Sequence, residues 1–396
     1  MLELIFVAKQ IAILGSTGSI GRNALRVIEA LGSDYEVIAL SAHSNVELLA
    51  EQARVYKPKF VAVTNPDYAG RLRGFIGDMD VEILAGPEGL VETAELEEVD
   101  IVLTAVVGAA GLPAVFAAAR CGKQLAVANK EPLVVAGELL LSEAKKNGGV
   151  ILPVDSEHSA VFQAMQSGTR EEVNKIILTA SGGPFRGITA EDIRNVTLEQ
   201  ALAHPVWNMG PKITIDSATM MNKAFEIIEA RWLFDIPVDK IEVLIHPESI
   251  IHSLVEFVDG SVVAQLGEPD MCLPIQYALT YPQRVAGIAK RLRLEQISKL
   301  TFEKPDFETF RALRLAYEVA RACGTAAAVF NAANEAAVEE FLAGGIEFVT
   351  IVELIEHCLN KHDVKAGASI EELLEADAWA RKEVRVKVHK SPSKAG

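Results

Sequence analysis

The chain has 396 residues, more than one hydrophobic core usually organises, so two or three domains are expected. Half of the residues are apolar and 23% are charged, the balance of a globular protein. With 38 basic and 54 acidic residues the net charge is −16, which argues against nucleic acid as a partner, because phosphate backbones bind basic surfaces.

A phosphorylated small substrate would need a local cluster of donors set against this overall field. Cys121, Cys272, Cys323 and Cys358 are scattered, with no zinc spacing or disulfide framework, so a reducing cytoplasm is expected. No apolar stretch is long enough to span a membrane. Leu2 to Val7 is too short for a signal sequence and lacks a basic flank. Residues 1–8 read as an upstream extension ahead of a first strand near Gln10.

Gln10 to Leu14 is a short apolar strand, followed at once by Gly15-Ser16-Thr17-Gly18-Ser19-Ile20-Gly21 and a helical pattern from Asn23. Strand, glycine loop and helix together suit a pyrophosphate, because the helix N-terminus supplies N–H donors and a positive dipole end. The spacing is Gly-x-x-Gly-x-x-Gly, which a plain tight turn can also show. The next strand, Tyr35 to Leu40, ends in Ser41-Ala42-His43-Ser44-Asn45 without the acid that usually holds the ribose of NAD. A carboxylate there would repel a 2′-phosphate, so its absence favours NADP. Ser44 and Asn45 can donate hydrogen bonds and His43 can add charge; Asn45 equally suits the N-cap of a helix beginning near Val46.

Strands at Phe60–Val63, Val81–Leu84, Ile101–Val106, Lys123–Ala128 and Gly149–Leu152 alternate with helical stretches. This alternation implies a Rossmann-like, doubly wound, mostly parallel sheet over residues 9–154. Asn129-Lys130-Glu131 follows a strand at its carboxyl end, where ligands bind in open α/β sheets; a polar loop would read the same.

After the strand 149–152 comes Pro153-Val154-Asp155-Ser156-Glu157-His158. If the chain stays extended, Asp155 and Glu157 share a face, and two adjacent carboxylates repel unless a hard dication joins them. Lys175 to Ala180 is a strand leading into Ser181-Gly182-Gly183, a turn that suits an anion. Residues 202–211 hold two prolines and a glycine and read as irregular, with Trp207 and Met209 either pinned in a core or forming a lid. In Asp216-Ser217-Ala218-Thr219-Met220-Met221-Asn222-Lys223, Asp216 or Ser217 reads as an N-cap. Asn222 and Glu226 share a helical face, with Lys223 beside them. Ser217, Asn222 and Lys223 would satisfy a phosphate, and Glu226 could add a third carboxylate to a metal site.

Strands at Ile241–Ile245, Ile250–Val258 and Ser261–Leu266 follow, with a hairpin turn at Asp259-Gly260. His246 and His252 read as core or interface polar groups. The expected organisation is a catalytic α/β domain with a sheet (155–280), a linker (281–307) and a C-terminal helical bundle (308–390). Ser369 with Glu372 makes a capping box for the last helix.

The ordered set Gly15 to Gly21, Asn129-Lys130-Glu131, Asp155-Ser156-Glu157, Ser181-Gly182-Gly183-Pro184-Phe185 and Asp216 to Lys223 resembles the 1-deoxy-D-xylulose 5-phosphate reductoisomerase family, over nearly the whole chain. The resemblance implies NADPH contacts at Thr17, Gly18, Ser19, Ile20, Asn129, Glu131 and Gly210. It implies a divalent metal (Mg²⁺, Mn²⁺ or Co²⁺) on Asp155, Glu157 and Glu226. The phosphorylated sugar would meet Lys130, Ser156, Glu157, Ser181, His204, Ser217, Asn222, Lys223 and Glu226, with Lys130, Glu157 and His204 catalytic. Trp207 and Met209 would belong to a mobile lid, and the chain would form a cytoplasmic homodimer. Two other readings stay open: a cysteine-dependent semialdehyde dehydrogenase, and a non-catalytic NADPH-binding regulator.

Overall fold

A computed structural model describes residues 8–204 and 210–390. The chain divides into two compact units. The first comprises the chain up to Pro132, Leu140–Ser159 and Asp270–Arg291; the second comprises Leu133–Leu139, Ala160–Pro269 and the chain from Leu292.

The first unit is built on seven strands: β1 (Lys9–Leu14), β2 (Tyr35–Ala42), β3 (Phe60–Val63), β4 (Glu82–Ala85), β5 (Ile101–Thr104), β6 (Gln124–Val127) and β7 (Val150–Pro153). They lie in the order β4-β3-β2-β1-β5-β6-β7 and every pairing is parallel. Helices link each strand to the next, and a sheet with helices over it reads as continuous apolar runs. Ile11, Ile13, Leu14, Val102, Leu103 and Leu125 are accordingly all buried. The chain leaves β1 to build one side of the sheet and returns through β5 to build the other. That reversal opens a crevice at the carboxyl ends of β1 and β5. The doubly wound parallel sheet expected from the sequence is therefore present. The helix Cys272–Thr280 joins this unit late in the chain and packs on the helix Ser19–Leu31.

The second unit holds a four-stranded sheet of β8 (Val173–Ala180), β9 (Ile241–Ile245), β10 (Ile251–Phe257) and β11 (Val262–Leu266) in the order β11-β10-β8-β9. β10 runs antiparallel to β8 and β11, and β8 runs parallel to β9. The expected hairpin turn forms at Asp259-Gly260, where Gly260 has φ +84°. His246 is fully buried: Nδ1 lies 2.9 Å from the Thr301 carbonyl, and Nε2 accepts from the N–H groups of Ile250 and Ile251 at 3.1 Å each. That pattern fits a structural role.

Four helices follow: Arg311–Ala322, Ala326–Leu342, Thr350–Lys361 and Ile370–Lys390. Ala326–Leu342 is alanine-rich and buried on most sides, packed against both helices that follow it. The capping box before the last helix is present: Ser369 N–H donates to Glu372 at 3.0 Å, and Glu372 N–H donates to Ser369 Oγ at 3.3 Å. Among the described residues no helix is long and apolar enough to cross a membrane.

Three local expectations are corrected. The chain is not extended through Glu157: β7 ends at Pro153 and a helix runs Ser156–Ala164. Asp155 Oδ1 accepts from the N–H groups of Glu157 and His158 at 3.1 and 3.4 Å, so an N-cap replaces the strand end. Asp216 and Ser217 are not N-caps; they occupy the last turn of the helix Pro211–Ala218. Residue 211 is not irregular either, because Pro211 sits at the first position of that helix, where its missing N–H costs nothing.

Candidate active site

In the first unit the loop after β1 needs its glycines. Gly15 has φ +91°, and a Cβ on it would lie 2.5 Å from the Ala105 carbonyl oxygen at the end of β5. A Cβ on Gly21 would lie 2.5 Å from Ser16 Cα. The loop is tied to β2 by Ser16 N–H on the Ser41 carbonyl (2.8 Å) and Gly15 N–H on Ser41 Oγ (2.9 Å). Gly18 caps the helix Ser19–Leu31, so Thr17, Gly18, Ser19 and Ile20 stand at its positive end, in the β1/β5 crevice.

Asn45 is the N-cap of the helix Val46–Tyr56, accepting from Leu48 N–H at 3.3 Å. His43 is exposed, with Nδ1 2.8 Å from Thr64 Oγ1, and Ser44 stands exposed beside it. Asn129 follows β6. Its Oδ1 accepts from Thr104 Oγ1 at 2.6 Å, while its buried Nδ2 has no hydrogen-bond partner among the described residues. A buried donor left over beside a crevice is what an acceptor on a bound ligand would satisfy. Glu131 opens the helix Glu131–Lys146 and is buried.

Beside it lies the acidic stretch. Lys130 Nζ pairs with Asp155 Oδ2, and both side chains are largely buried. Ser156 Oγ donates to Glu157 Oε2 at 2.6 Å. Asp155 and Glu157 each offer a carboxylate oxygen within 4.8 Å of the other, so the pair expected from the sequence does converge, through a helix start and not through strand alternation. His158 is fully buried, with Nδ1 3.6 Å from Asp155 Oδ1.

In the second unit Gly182 and Gly183 both have positive φ, +87° and +66°. Gly183 N–H donates to Ser181 Oγ at 3.2 Å, and a Cβ on Gly183 would lie 2.6 Å from the Ser217 carbonyl oxygen. The structure thus brings Ser181 and Ser217 together by a contact only glycine permits. The helix Pro211–Ala218 and the helix Met221–Phe234 are separated by Met220, a non-glycine residue at φ +62°. Past this break Asn222 Nδ2 donates to Glu226 Oε1 at 2.6 Å and Lys223 Nζ pairs with Glu226 Oε2. Lys223 and Glu226 are both buried. Gly210 is the N-cap of the helix Pro211–Ala218. Burial holds the pKa of His204 below the ordinary imidazole value. Trp207 and Met209, read as lid residues, lie outside the described residues.

Sequence reasoning missed one group in this unit. Lys212 Nζ pairs with Asp216 Oδ2 at 2.8 Å, and Asn334 Nδ2 donates to Asp216 Oδ1 at 2.8 Å. The four-residue spacing of Lys212 and Asp216 was a usable signal; nothing local marked Asn334. Of the cysteines the alternative reading would use, Cys272 is a poor nucleophile, because burial pushes its thiol up to about 11, and Cys121 is exposed at the C-cap of the helix Leu112–Arg120.

Three family models match the chain: 1-deoxy-D-xylulose 5-phosphate reductoisomerase over residues 11–137, its C-terminal domain over 151–234, and the DXP reductoisomerase C-terminal domain over 266–383. The reductoisomerase of Clostridium perfringens (strain ATCC 13124) is 50% identical over 379 residues, 95% of this chain and 98% of that one. That of Chloroherpeton thalassium is 52% identical over 376 residues, 95% and 97% of the two chains. Among solved structures, the Zymomonas mobilis reductoisomerase in complex with NADPH is 42% identical with a TM-score of 0.91, covering 97% of this chain and all of that one. A reductoisomerase in complex with NADPH, fosmidomycin and magnesium is 42% identical with a TM-score of 0.92, covering 96% and 98%. With matching models over most of its length and relatives near half identity end to end, this chain belongs to the 1-deoxy-D-xylulose 5-phosphate reductoisomerase family.

Proposed function

We propose that this chain converts 1-deoxy-D-xylulose 5-phosphate to 2-C-methyl-D-erythritol 4-phosphate, using NADPH and a divalent cation, in non-mevalonate isoprenoid synthesis. The observation that carries the reading is the pair Asp155 and Glu157, whose carboxylate oxygens lie within 4.8 Å of each other at the start of the helix Ser156–Ala164; Glu226, in the second unit, is proposed as the third ligand. Carboxylate oxygens suit a hard cation such as Mg²⁺ or Mn²⁺. When bound, the cation supplies Lewis-acid stabilisation of negative charge developing on substrate oxygens, and NADPH supplies the hydride.

The chain's own groups do the rest. Thr17, Gly18, Ser19 and Ile20 offer a helix N-terminus to the cofactor phosphates. Asn129 donates its spare amide hydrogen and Glu131 and Gly210 line the cofactor. His43, Ser44 and Asn45 stand where a 2′-phosphate would lie, with no acid to repel it. Ser181, Ser217, Asn222 and Lys223 hold the substrate phosphate, three neutral donors and one ammonium. Lys130, already bonded to Asp155, and Ser156 reach the substrate backbone. His204, kept neutral by burial, can give or take a hydrogen bond there without a charge of its own. The enzyme acts in the cytoplasm as a homodimer, with the four-stranded sheet, of which β11 is an edge, as the subunit contact.

The test is NADPH oxidation with 1-deoxy-D-xylulose 5-phosphate, with Mg²⁺ and after chelation. Turnover should require the metal. Asp155→Asn should lower it at least about 100-fold while NADPH binding, followed by titration, is unchanged. Metal-independent turnover, or an Asp155→Asn enzyme of ordinary activity, ends the metal assignment. Light scattering that gives a monomer ends the dimer.

A further inference from the structure

We propose that Asn334, in the C-terminal helical region, is a positioning residue for substrate phosphate binding, acting through Asp216 on Ser217. The proposal rests on the reading above that Ser217 holds that phosphate. Asn334 is fully buried in the helix Ala326–Leu342, among alanines. Its Nδ2 donates to Asp216 Oδ1 at 2.8 Å, while its own Oδ1 is buried without a hydrogen-bond partner among the described residues. An amide that leaves one buried acceptor unpaired is a poor choice for stability alone, because an apolar side chain would avoid that loss. Its one made bond is where its use lies.

Asp216 is itself buried and accepts on both oxygens, from Asn334 and from Lys212, whose ammonium also stands 5.1 Å from the centre of the Phe225 ring. The helix carrying Asp216, Pro211–Ala218, is two turns long and packs against Ala326–Leu342. A helix that short is marginal by itself, so its rotation about its axis is set by tertiary anchors. Successive helical residues are about 100° apart around that axis. Anchoring Asp216 inward therefore fixes the direction of Ser217. Ser217 is the residue whose carbonyl closes on Gly183 and so on the Ser181 turn. The amide of Asn334 thus sets the angle at which one wall of the phosphate site is presented.

The experiment compares Asn334→Leu, Asp216→Asn and Ser217→Ala in the full enzyme. Asn334→Leu fills the same space without the donor. It should raise the KM for 1-deoxy-D-xylulose 5-phosphate and the inhibition constant of inorganic phosphate about tenfold. It should leave kcat and the NADPH dissociation constant within about twofold, while the thermal midpoint falls because Asp216 Oδ1 is left buried without its donor. Asn334→Gln, which keeps the donor, should recover part of the loss. If Asn334→Leu keeps the wild-type KM, or if it loses NADPH and phosphate binding in parallel, the residue only packs and the proposal is wrong. Should Asn334→Leu fail to fold, Asp216→Asn decides on the same constants, since it weakens the anchor without changing its shape. Ser217→Ala separates the two levels. A normal KM in Ser217→Ala removes the underlying phosphate reading, whereas a raised KM there with a normal KM in Asn334→Leu removes only this inference.

Discussion

The contact of the Ser181 turn with Ser217 can be tested by one methyl group. Gly183→Ala places a Cβ 2.6 Å from the Ser217 carbonyl oxygen, where ordinary contact begins at 3.4 Å, so backbone must separate by 0.8 Å. The substitution also puts an L-residue at φ +66°, which costs about 1–2 kcal/mol. Gly187, four residues on, supplies the control: it has φ +81° but a Cβ there meets nothing within 4 Å. Gly187→Ala therefore carries the backbone term alone. Gly183→Ala adds an overpacking term of about 1–3 kcal/mol and moves the two proposed phosphate donors apart. A misplacement near 1 Å can lower turnover about 100-fold, so kcat/KM for the sugar phosphate should fall by about 10- to 100-fold in Gly183→Ala and by less than about twofold in Gly187→Ala. The assays are steady-state NADPH oxidation and thermal unfolding of both variants. Equal kinetics in the two variants would refute the idea that the turn and Ser217 form one binding surface.

Lys223→Ala should raise the KM for the sugar phosphate by about 100-fold or more while the NADPH dissociation constant stays within about twofold; equal losses on both ligands would count against a phosphate role. His204 gives a pH signature. Its folded pKa lies below the ordinary 6.5, so the unfolded chain binds the proton more readily. The stability this group contributes is present above about pH 6.5 and is lost as pH falls through the lowered value. His204→Gln should show a shallower loss of thermal midpoint on acidification than wild type; parallel curves would remove His204 as the cause.

The parts of the molecule legible in the sequence are those with local physics. The loop Gly15 to Gly21 could be read because strand, glycine and helix are contiguous and each glycine answers a backbone contact within the unit. Asn129 could be placed because its strand end is itself a location in a doubly wound sheet. Asn45 had two readings, and the structure shows the cap. The misreadings came where two local rules compete. Asp155 fits a strand end as well as an N-cap, and the backbone N–H groups of Glu157 and His158 decide for the cap. Asp216 and Ser217 suit an N-cap by type, but their helix had already begun at Pro211. The left-handed Met220 has no sequence mark at all, since a bulky side chain is the last to be expected at φ +62°. Asn334 was illegible for another reason: its partner, Asp216, is 118 positions away.

The electrostatics tie these pieces together. A chain with a net charge of −16 must recruit a phosphate dianion, yet its site lysines are already engaged by acids: Lys130 with Asp155, Lys212 with Asp216 and Lys223 with Glu226. Lys223 is buried, so its attraction to Glu226 is weakly screened and competes directly with any phosphate it should hold. A dication on Glu226 would take over the carboxylate and release the ammonium for the phosphate. On the assignments proposed above, metal and substrate should bind with positive coupling, and linkage requires that each raise the affinity of the other by the same factor. A coupling of about 1.4 kcal/mol corresponds to a factor of ten, within the ordinary range for two interacting sites. Titrating inorganic phosphate with and without Mg²⁺, and Mg²⁺ with and without phosphate, measures both sides of that cycle. The factor should be near ten in wild type and near one in Lys223→Met, where no ammonium remains to be released; an unchanged factor in the variant would show that the two ligands meet directly and that Glu226 does not hold Lys223 in reserve.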